Sequence, residues 1–167
     1  MDITEFWEII EPGKHSEEPE QSLRAKLEKY SPEEIESFQA HFDTLVNNAY
    51  LWDLWGAAYL IGGGCSDDRF IDFRYALISK GRGIYEKALI DPDSLFELGE
   101  IVEGDLDIAL DNEIFGYVSG EIYEDKTGKE IPRTGSPSSD ESMGEEWDFE
   151  DEAENKKRLP KLYSRYW

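Results

Sequence analysis

The sequence predicts a mainly α-helical fold: a compact bundle built around a helix, a glycine-rich turn and a second helix. Three observations support this fold class. Apolar residues recur at helical spacing between residues 35 and 49, behind a helix-start signal at Ser31. Residues 52–61 are apolar on nearly every side, which is typical of a helix at the centre of a bundle. Five Trp, nine Tyr and eight Phe supply apolar surface for a core.

The amino-terminal part is expected to form two helices. The first begins at a cap, Asp2 or Thr4, and ends at Pro12-Gly13, where proline lacks an amide and glycine frees the backbone. A more polar helix follows over about residues 18–30, with Leu23 and Leu27 on its buried edge.

The clearest local signal is Ser31-Pro32-Glu33-Glu34. Serine can cap a helix, proline suits the first helical position, and Glu34 stands where a capping box places its carboxylate. The apolar residues behind it then recur with helical period, which predicts a long and well-buried helix: Ile35, Phe38, Phe42, Leu45, Val46 and Ala49.

The central unit is predicted to break at Gly62-Gly63-Gly64 and to resume as a helix capped near Ser66. Phe70, Phe73 and Leu77 then share one stripe, so the two helices are expected to pack on each other across the turn. The small residues 56–58 would let a neighbouring backbone come close, and the helix that starts near Asp67 is the expected neighbour.

A shorter helix is expected over residues 84–89, ended by Asp91-Pro92-Asp93, with another helical turn beginning at Ser94. A single helix is then favoured over residues 106–123, although residues 117–120 also suit an extended conformation.

The expected domain organisation is a helical domain over residues 1–124, a flexible acidic linker rich in Gly, Pro and Ser over 125–146, and a closing segment over 147–167. The closing segment interleaves basic residues with aromatic ones. It is therefore predicted to dock on the domain, with its basic side chains over acidic surface.

The charge balance limits the possible partners. A formal net charge of −22 repels nucleic-acid backbones and anionic membranes, and it favours a basic protein partner. The single cysteine cannot form an intrachain disulfide. Neither a secretion signal nor a membrane-spanning run is evident, so a cytoplasmic location is expected.

Most of the chain resembles a bacterial family known as domain of unknown function 4240. The similarity is carried by several motifs: Phe6-Trp7, Leu51-Trp52-Asp53-Leu54-Trp55 with Ala57-Ala58, Gly63-Gly64-Cys65-Ser66-Asp67-Asp68, Phe70 with Asp72-Phe73-Arg74, Gly81-Arg82, and Asp91-Pro92. Two later motifs resemble the family's closing segment: Trp147-Asp148-Phe149 and Leu159-Pro160-Lys161-Leu162. The resemblance implies a mainly helical domain and brings no assigned activity.

Two groups of residues are candidate binding sites. Asp67, Asp68 and Asp72 form a carboxylate cluster; Asp68 and Asp72 are four apart on one helix face, a spacing that suits a divalent cation or an acid–base pair. The favoured alternative is helix capping by Asp67 or Asp68, with an ion pair to Arg69 or Arg74 from Asp72 or a neighbouring segment.

Trp52 and Trp55 share a helix face and could line a ligand pocket that Arg74 and Arg82 reach. Aromatic stripes at this spacing more often belong to the core.

Three weaker signals favour structural roles. Gly62-Gly63-Gly64 follows a helix and precedes two aspartates, which does not suit a phosphate loop. His15 and His41 lack further ligands at metal-binding spacing, and Cys65 has acidic neighbours that disfavour its thiolate. No catalytic residue, metal ligand or cofactor is therefore predicted.

These observations favour a small acidic, non-catalytic protein-binding module, of the immunity or antitoxin kind, that binds a basic partner. The alternative is a small-ligand or metal-binding protein, or an enzyme, that uses Asp67, Asp68, Asp72 and Arg74. A regulatory or scaffold domain whose acidity serves solubility is a third possibility. The partner's identity and the oligomeric state are left open by the sequence.

Overall fold

Helices account for the regular structure of residues 1–101, 105–133 and 143–167, which are the residues that the computed structural model describes; no β-strand forms among them. The predicted mainly α-helical fold is confirmed. The α-helices of these residues are α1 Ile3–Ile10, α2 Pro19–Leu27, α3 Pro32–Asn48, α4 Trp52–Gly62, α5 Asp67–Ser79, α6 Arg82–Ile90, α7 Leu95–Ile101, α8 Leu106–Ala109, α9 Val118–Thr127, α10 Glu152–Arg158 and α11 Pro160–Tyr166. None of them has the combined length and apolar character needed to cross a bilayer.

Capping boxes set the start of α1 and α3. The side chain of Asp2 accepts hydrogen bonds from the amides of Thr4 and Glu5, while Glu5 accepts one from the amide of Asp2. Ser31 and Glu34 form the same reciprocal pair at the start of α3. Asp2, rather than Thr4, is therefore the cap of α1.

The central unit consists of α4, a glycine turn and α5. Gly63 ends α4 with a left-handed φ of 61°, and the amide of Gly64 donates to the carbonyl of Tyr59 at 2.8 Å. The two helices meet through aromatic rings: Trp55 stacks on Phe70 with centroids 5.0 Å apart and planes 8° apart. The turn thus joins two helices that pack aromatic side chains on each other.

The core is a continuous set of aromatic contacts that links distant parts of the chain. Phe6 of α1 stacks on Phe38 of α3 at 4.7 Å, and Phe38 in turn lies 6.3 Å from Phe42. Phe42 contacts Tyr75 of α5 and Phe115 before α9. Burial of these rings supplies much of the apolar surface removed from water.

The prediction that Gly56 makes room for the backbone of α5 was wrong. A Cβ added at Gly56 would lie 2.2 Å from Cζ2 of Trp147, so the glycine makes room for an indole ring of the closing segment and not for the backbone of α5. Side-chain stacking already sets the contact between α4 and α5, which leaves the small face of α4 open to a distant ring.

The single helix expected over residues 106–123 was also wrong. Helix α8 ends at Ala109, and the side chain of Asn112 accepts a hydrogen bond from the amide of Phe115, which favours a turn over continued helix. Helix α9 starts at Val118 and includes residues 125–127, which had been placed in the linker; Gly128, with φ of 71°, ends it.

The closing segment lies against the helices of the amino-terminal part. Its Leu159 and Leu162 are fully buried. Just before it, the linker residue Met143 accepts a hydrogen bond through its carbonyl from the amide of Trp52 at 2.8 Å. Arg158 of this segment pairs with Asp53 of α4 at 3.0 Å. Linker residues 134–142 lie outside the described residues, and the division into domain, linker and closing segment stays a prediction.

Candidate functional site

Trp52 and Trp55 belong to an aromatic cluster that the closing segment completes. Their rings stack with centroids 5.5 Å apart, and Phe149 lies 5.6 and 5.8 Å from them. The indole Nε1 of Trp55 donates to the carbonyl of Cys65 at 2.9 Å. Because protein rings contact both tryptophans and a carbonyl accepts from Nε1 of Trp55, the arrangement favours a core role. The binding role of both tryptophans stays a prediction.

The three predicted aspartates of α5 differ in their surroundings. Asp67 and Asp68 are exposed, and the helix cap is Ser66, whose hydroxyl accepts from the amide of Arg69. Asp72 is partly buried. Among the described residues, no group of three or more His, Cys, Asp or Glu side chains is placed to hold a metal ion.

Asp72 is surrounded by like charge. Its pKa is raised by burial and then by the carboxylates of Glu113, Asp111 and Asp68. The turn between α8 and α9 brings Asp111 and Glu113 to α5, and we call the group Asp68, Asp72, Asp111 and Glu113 the acidic patch. Gly116 allows this approach, because a Cβ there would lie 2.3 Å from the ring of Tyr75.

Replacing Asp72 with asparagine is expected to stabilise the protein at neutral pH. The folded-state pKa is raised, so ionised Asp72 destabilises the fold above that pKa, and the cost vanishes below the unfolded value of about 3.9. We expect D72N to raise the free energy of unfolding by up to about 1 kcal/mol at pH 7, a gain that disappears as the pH falls towards 3.

Urea denaturation at several pH values measures this difference. The control is E8Q, because Glu8 is exposed on α1 and makes no ion pair among the described residues. Equal gains in D72N and E8Q at pH 7 would show that net charge alone, and not the setting of Asp72, is responsible.

Arg69, rather than Arg74, provides the local ion pair. One guanidinium nitrogen of Arg69 lies 2.7 and 2.8 Å from the two carboxylate oxygens of Asp107, and its Nε lies 3.9 Å from Asp111. Asp68, Asp72 and Glu113 have no cation within ion-pair distance among the described residues. The patch therefore keeps most of its negative charge.

Arg74 is buried inside the bundle and points away from the aspartates of α5. Its Nε donates to the carbonyl of Phe70 at 3.2 Å and its Nη1 to the carbonyl of Val46 at 3.0 Å. The guanidinium lies 4.7 Å from the ring centroid of Tyr50, and burial lowers its pKa. These contacts tie α3 to α5, so the predicted constellation of Arg74 with the aspartates is not assembled.

Arg82 lies at the opposite end of α5 from Asp67. It is exposed on α6, where its Nε pairs with Glu86 at 2.7 Å and its amide donates to Glu11 at 3.0 Å. The thirteen residues of α5 separate the two positions by about 20 Å. The predicted site residues thus do not form one site. The tryptophans lie in an aromatic cluster, Asp68 and Asp72 in the acidic patch, Arg74 in the core, and Arg82 in an exposed ion pair on α6.

The weaker candidates have structural surroundings. Burial raises the pKa of the Cys65 thiol to about 11, so it is protonated at neutral pH. Nε2 of His41 lies 3.0 Å from the carbonyl of Met1, and His15 is exposed.

Sequence reasoning found two of the four residues of the acidic patch. Asp111 and Glu113 were missed because they were expected on one continuous helix, which gave no reason to place them beside Asp72. The signal that could have found them is Asp111-Asn112, a pair that favours turns.

The fold and this patch define an acidic, all-helical protein in the residues that the structure describes. The chain belongs to the family described as "Protein of unknown function (DUF4240)", which matches residues 1–125, more than half of its length. The resemblance seen in the sequence is thereby confirmed. The matched range ends before Trp147, so the likeness of the closing segment to the family's stays a prediction. No curated protein and no solved structure matches the chain.

Proposed function

We propose that this protein is a non-catalytic binding module of the immunity or antitoxin kind, and that its acidic patch binds a basic protein partner in the cytoplasm. The observation that carries the proposal is that three other carboxylates, those of Asp68, Asp111 and Glu113, surround Asp72. Of these four groups, Asp111 alone has a cation within ion-pair distance in the described structure. A positive partner would relieve this repulsion on binding.

The surroundings of the patch also suit a protein interface. Tyr117 is 50% exposed, its hydroxyl donates to Glu113 at 3.2 Å, and Ile114 beside it is 60% exposed. Tyrosine and isoleucine next to carboxylates provide the apolar contact area that charge steering alone lacks. Close packing of Gly116 on the ring of Tyr75 fixes the turn that carries Asp111 and Glu113. The patch is thus preorganised, which lowers the entropy cost of binding.

In the part of the chain that the structure describes, the one ion pair to the patch joins Arg69 and Asp111, 3.9 Å apart. The basic side chains of the closing segment form ion pairs with carboxylates outside the patch: Arg158 with Asp53, Lys161 with Glu97 and Arg165 with Glu100. The patch therefore stays negative, and together with the net charge of −22 it would speed the association with a basic protein by electrostatic attraction.

A capture experiment with two matched variants tests the proposal. The patch variant D68N/D72N/E113Q and the control E8Q/E124Q/E130Q each remove three negative charges, and the control residues are exposed and without ion pairs in the described structure. Immobilised wild type, incubated with host extract at low salt, is expected to retain a basic protein in stoichiometric amount. With that protein purified, the patch variant is expected to bind at least about tenfold more weakly, and the control to bind nearly as wild type.

Two results would contradict the proposal. Failure to recover a stoichiometric basic protein would remove the binding function itself. Equal weakening in both variants would keep a basic partner but show that the whole molecular charge, and not the patch, attracts it.

A further inference from the structure

A groove on another part of the molecule is lined by a cluster of cations. It lies between the turn after α1, helix α6 and helix α7, and encloses about 410 Å³. We call it the Lys80 groove, and the residues that define it are Lys14, His15, Lys80, Ile84, Leu98 and Ile101. It continues into a wider, more polar cleft that reaches Asp111.

The charge of this groove is opposite to that of the protein. Three lysines and two glutamates line the 410 Å³ cavity, in a chain with a net charge of −22. Lys14 pairs with Glu11, and Lys87 pairs with Glu97. The side chain of Lys80 is the lining lysine side chain that makes no hydrogen bond or ion pair among the described residues. The 410 Å³ cavity thus has one lysine more than it has carboxylates, whereas the wider cleft on the other side of Lys80 is lined by Glu17, Glu20, Asp105 and Asp111.

Lys80 is held in place by the fold. It caps the carboxyl end of α5, where its amide donates to the carbonyls of that helix, and its side chain is partly buried. Burial lowers its pKa, and Glu20 offsets that effect only in part. Burial of the ammonium group is unfavourable, so an anion bound beside it would gain a charge-assisted contact.

The walls around Lys80 are apolar. Ile84 and Leu98 face the cavity, and Ile101 at its edge is 68% exposed. Exposed isoleucine beside a partly buried cation suits a ligand with an apolar body and one anionic end. The size of the cavity suits a small molecule, since known ligand pockets measure about 300–1,000 Å³.

We infer that the Lys80 groove binds a small organic carboxylate with an aliphatic or aromatic body, with Lys80 as its counter-ion. The carboxylate would contact the Lys80 ammonium, with Lys14 and His15 at the entrance, while the body would cover Ile84, Leu98 and Ile101. The inference rests on residues other than those of the acidic patch: Asp111 lines the wider cleft, and no patch residue lines the 410 Å³ cavity.

Octanoate and octanamide are matched probes, since they share a chain and differ in charge. In a heteronuclear NMR titration of the full chain, octanoate is expected to give saturable shifts at Lys80, Ile84 and Leu98, with octanamide at least about tenfold weaker. K80M keeps the length of the side chain and is expected to weaken octanoate at least about tenfold. K80R, which restores the charge, is expected to recover part of the affinity.

The control is K29M, which removes an exposed lysine after α2 and is expected to leave octanoate binding unchanged. Circular dichroism of each variant verifies that it is folded. If K80M does not fold, the difference between octanoate and octanamide on the wild-type chain tests the role of charge. The inference is overturned if octanoate gives no saturable shifts at the groove, if octanamide binds equally well, or if K80M and K29M behave alike.

Discussion

Replacing Trp147 with alanine is expected to lower the free energy of unfolding by about 3–5 kcal/mol. The indole is buried, inserts against Gly56 of α4, and contacts Phe149 edge to face at 5.0 Å, while Arg158 lies 5.3 Å from its centroid. Its removal leaves a cavity between α4 and the closing segment that the rigid helix cannot close. Urea denaturation followed by circular dichroism measures the loss.

A double-mutant cycle with Gly56 shows whether this contact is responsible. G56A alone is expected to destabilise by about 1–3 kcal/mol, because its Cβ would overlap the indole. In the W147A background the overlap is gone, so the higher helix propensity of alanine is expected to make G56A neutral or stabilising by up to about 1 kcal/mol.

The matched control is G83A, because Gly83 lies in α6 with nothing within 4 Å of an added Cβ. It is expected to be neutral or slightly stabilising in either background. If G56A costs the same with and without Trp147, the indole is not seated against this glycine.

The parts of the fold that the sequence predicts well depend on neighbouring residues. Ser31 and Glu34 are three apart and form their capping box whatever the rest of the chain does. The turn at Gly63 needs a left-handed backbone, and glycine adopts one with little strain. Local information of this kind set the bounds of α1, α3, α4 and α5 to within a few residues.

The parts that the sequence does not predict depend on contacts between distant residues. The small face at Gly56 shows that something comes close, but Trp147 is its neighbour only because the whole closing segment folds over α4. Arg74 was expected beside the aspartates of its own helix, yet its guanidinium donates a hydrogen bond to the carbonyl of Val46, because α3 packs against α5 there. Periodicity gives a helix face and does not identify what that face meets.

The same distinction applies to the acidic patch and to the Lys80 groove. Asp68 and Asp72 are four apart, so sequence reasoning placed them together, whereas Asp111 and Glu113 come from a turn about forty residues later. Lys80 stands alone between Ser79 and Gly81 and carries no motif. Its place in a groove follows from the packing of α6 and α7, which only the structure shows.

Replacing Asp93 with alanine is the second change expected to have a large effect, at about 2–3 kcal/mol of destabilisation. The buried Asp93 carboxylate accepts hydrogen bonds from the amides of Lys161 and Leu162, which start α11. No side chain of the closing segment caps this helix, and Pro160 has no amide to satisfy. D93A therefore loses a cap and leaves the Leu162 amide buried without a partner.

Denaturation and amide hydrogen exchange report this loss separately. D93A is expected to lower the midpoint in urea and to speed exchange at Leu162, while D93N, which keeps one acceptor oxygen, is expected to lose about 1 kcal/mol. The control is D91A, because Asp91 is exposed in the same turn and its side chain makes no hydrogen bond in the described structure; its effect is expected within about 0.5 kcal/mol. If D93A and D91A unfold at the same urea concentration, α11 does not depend on a cap from residue 93, and the closing segment is held by its apolar contacts alone.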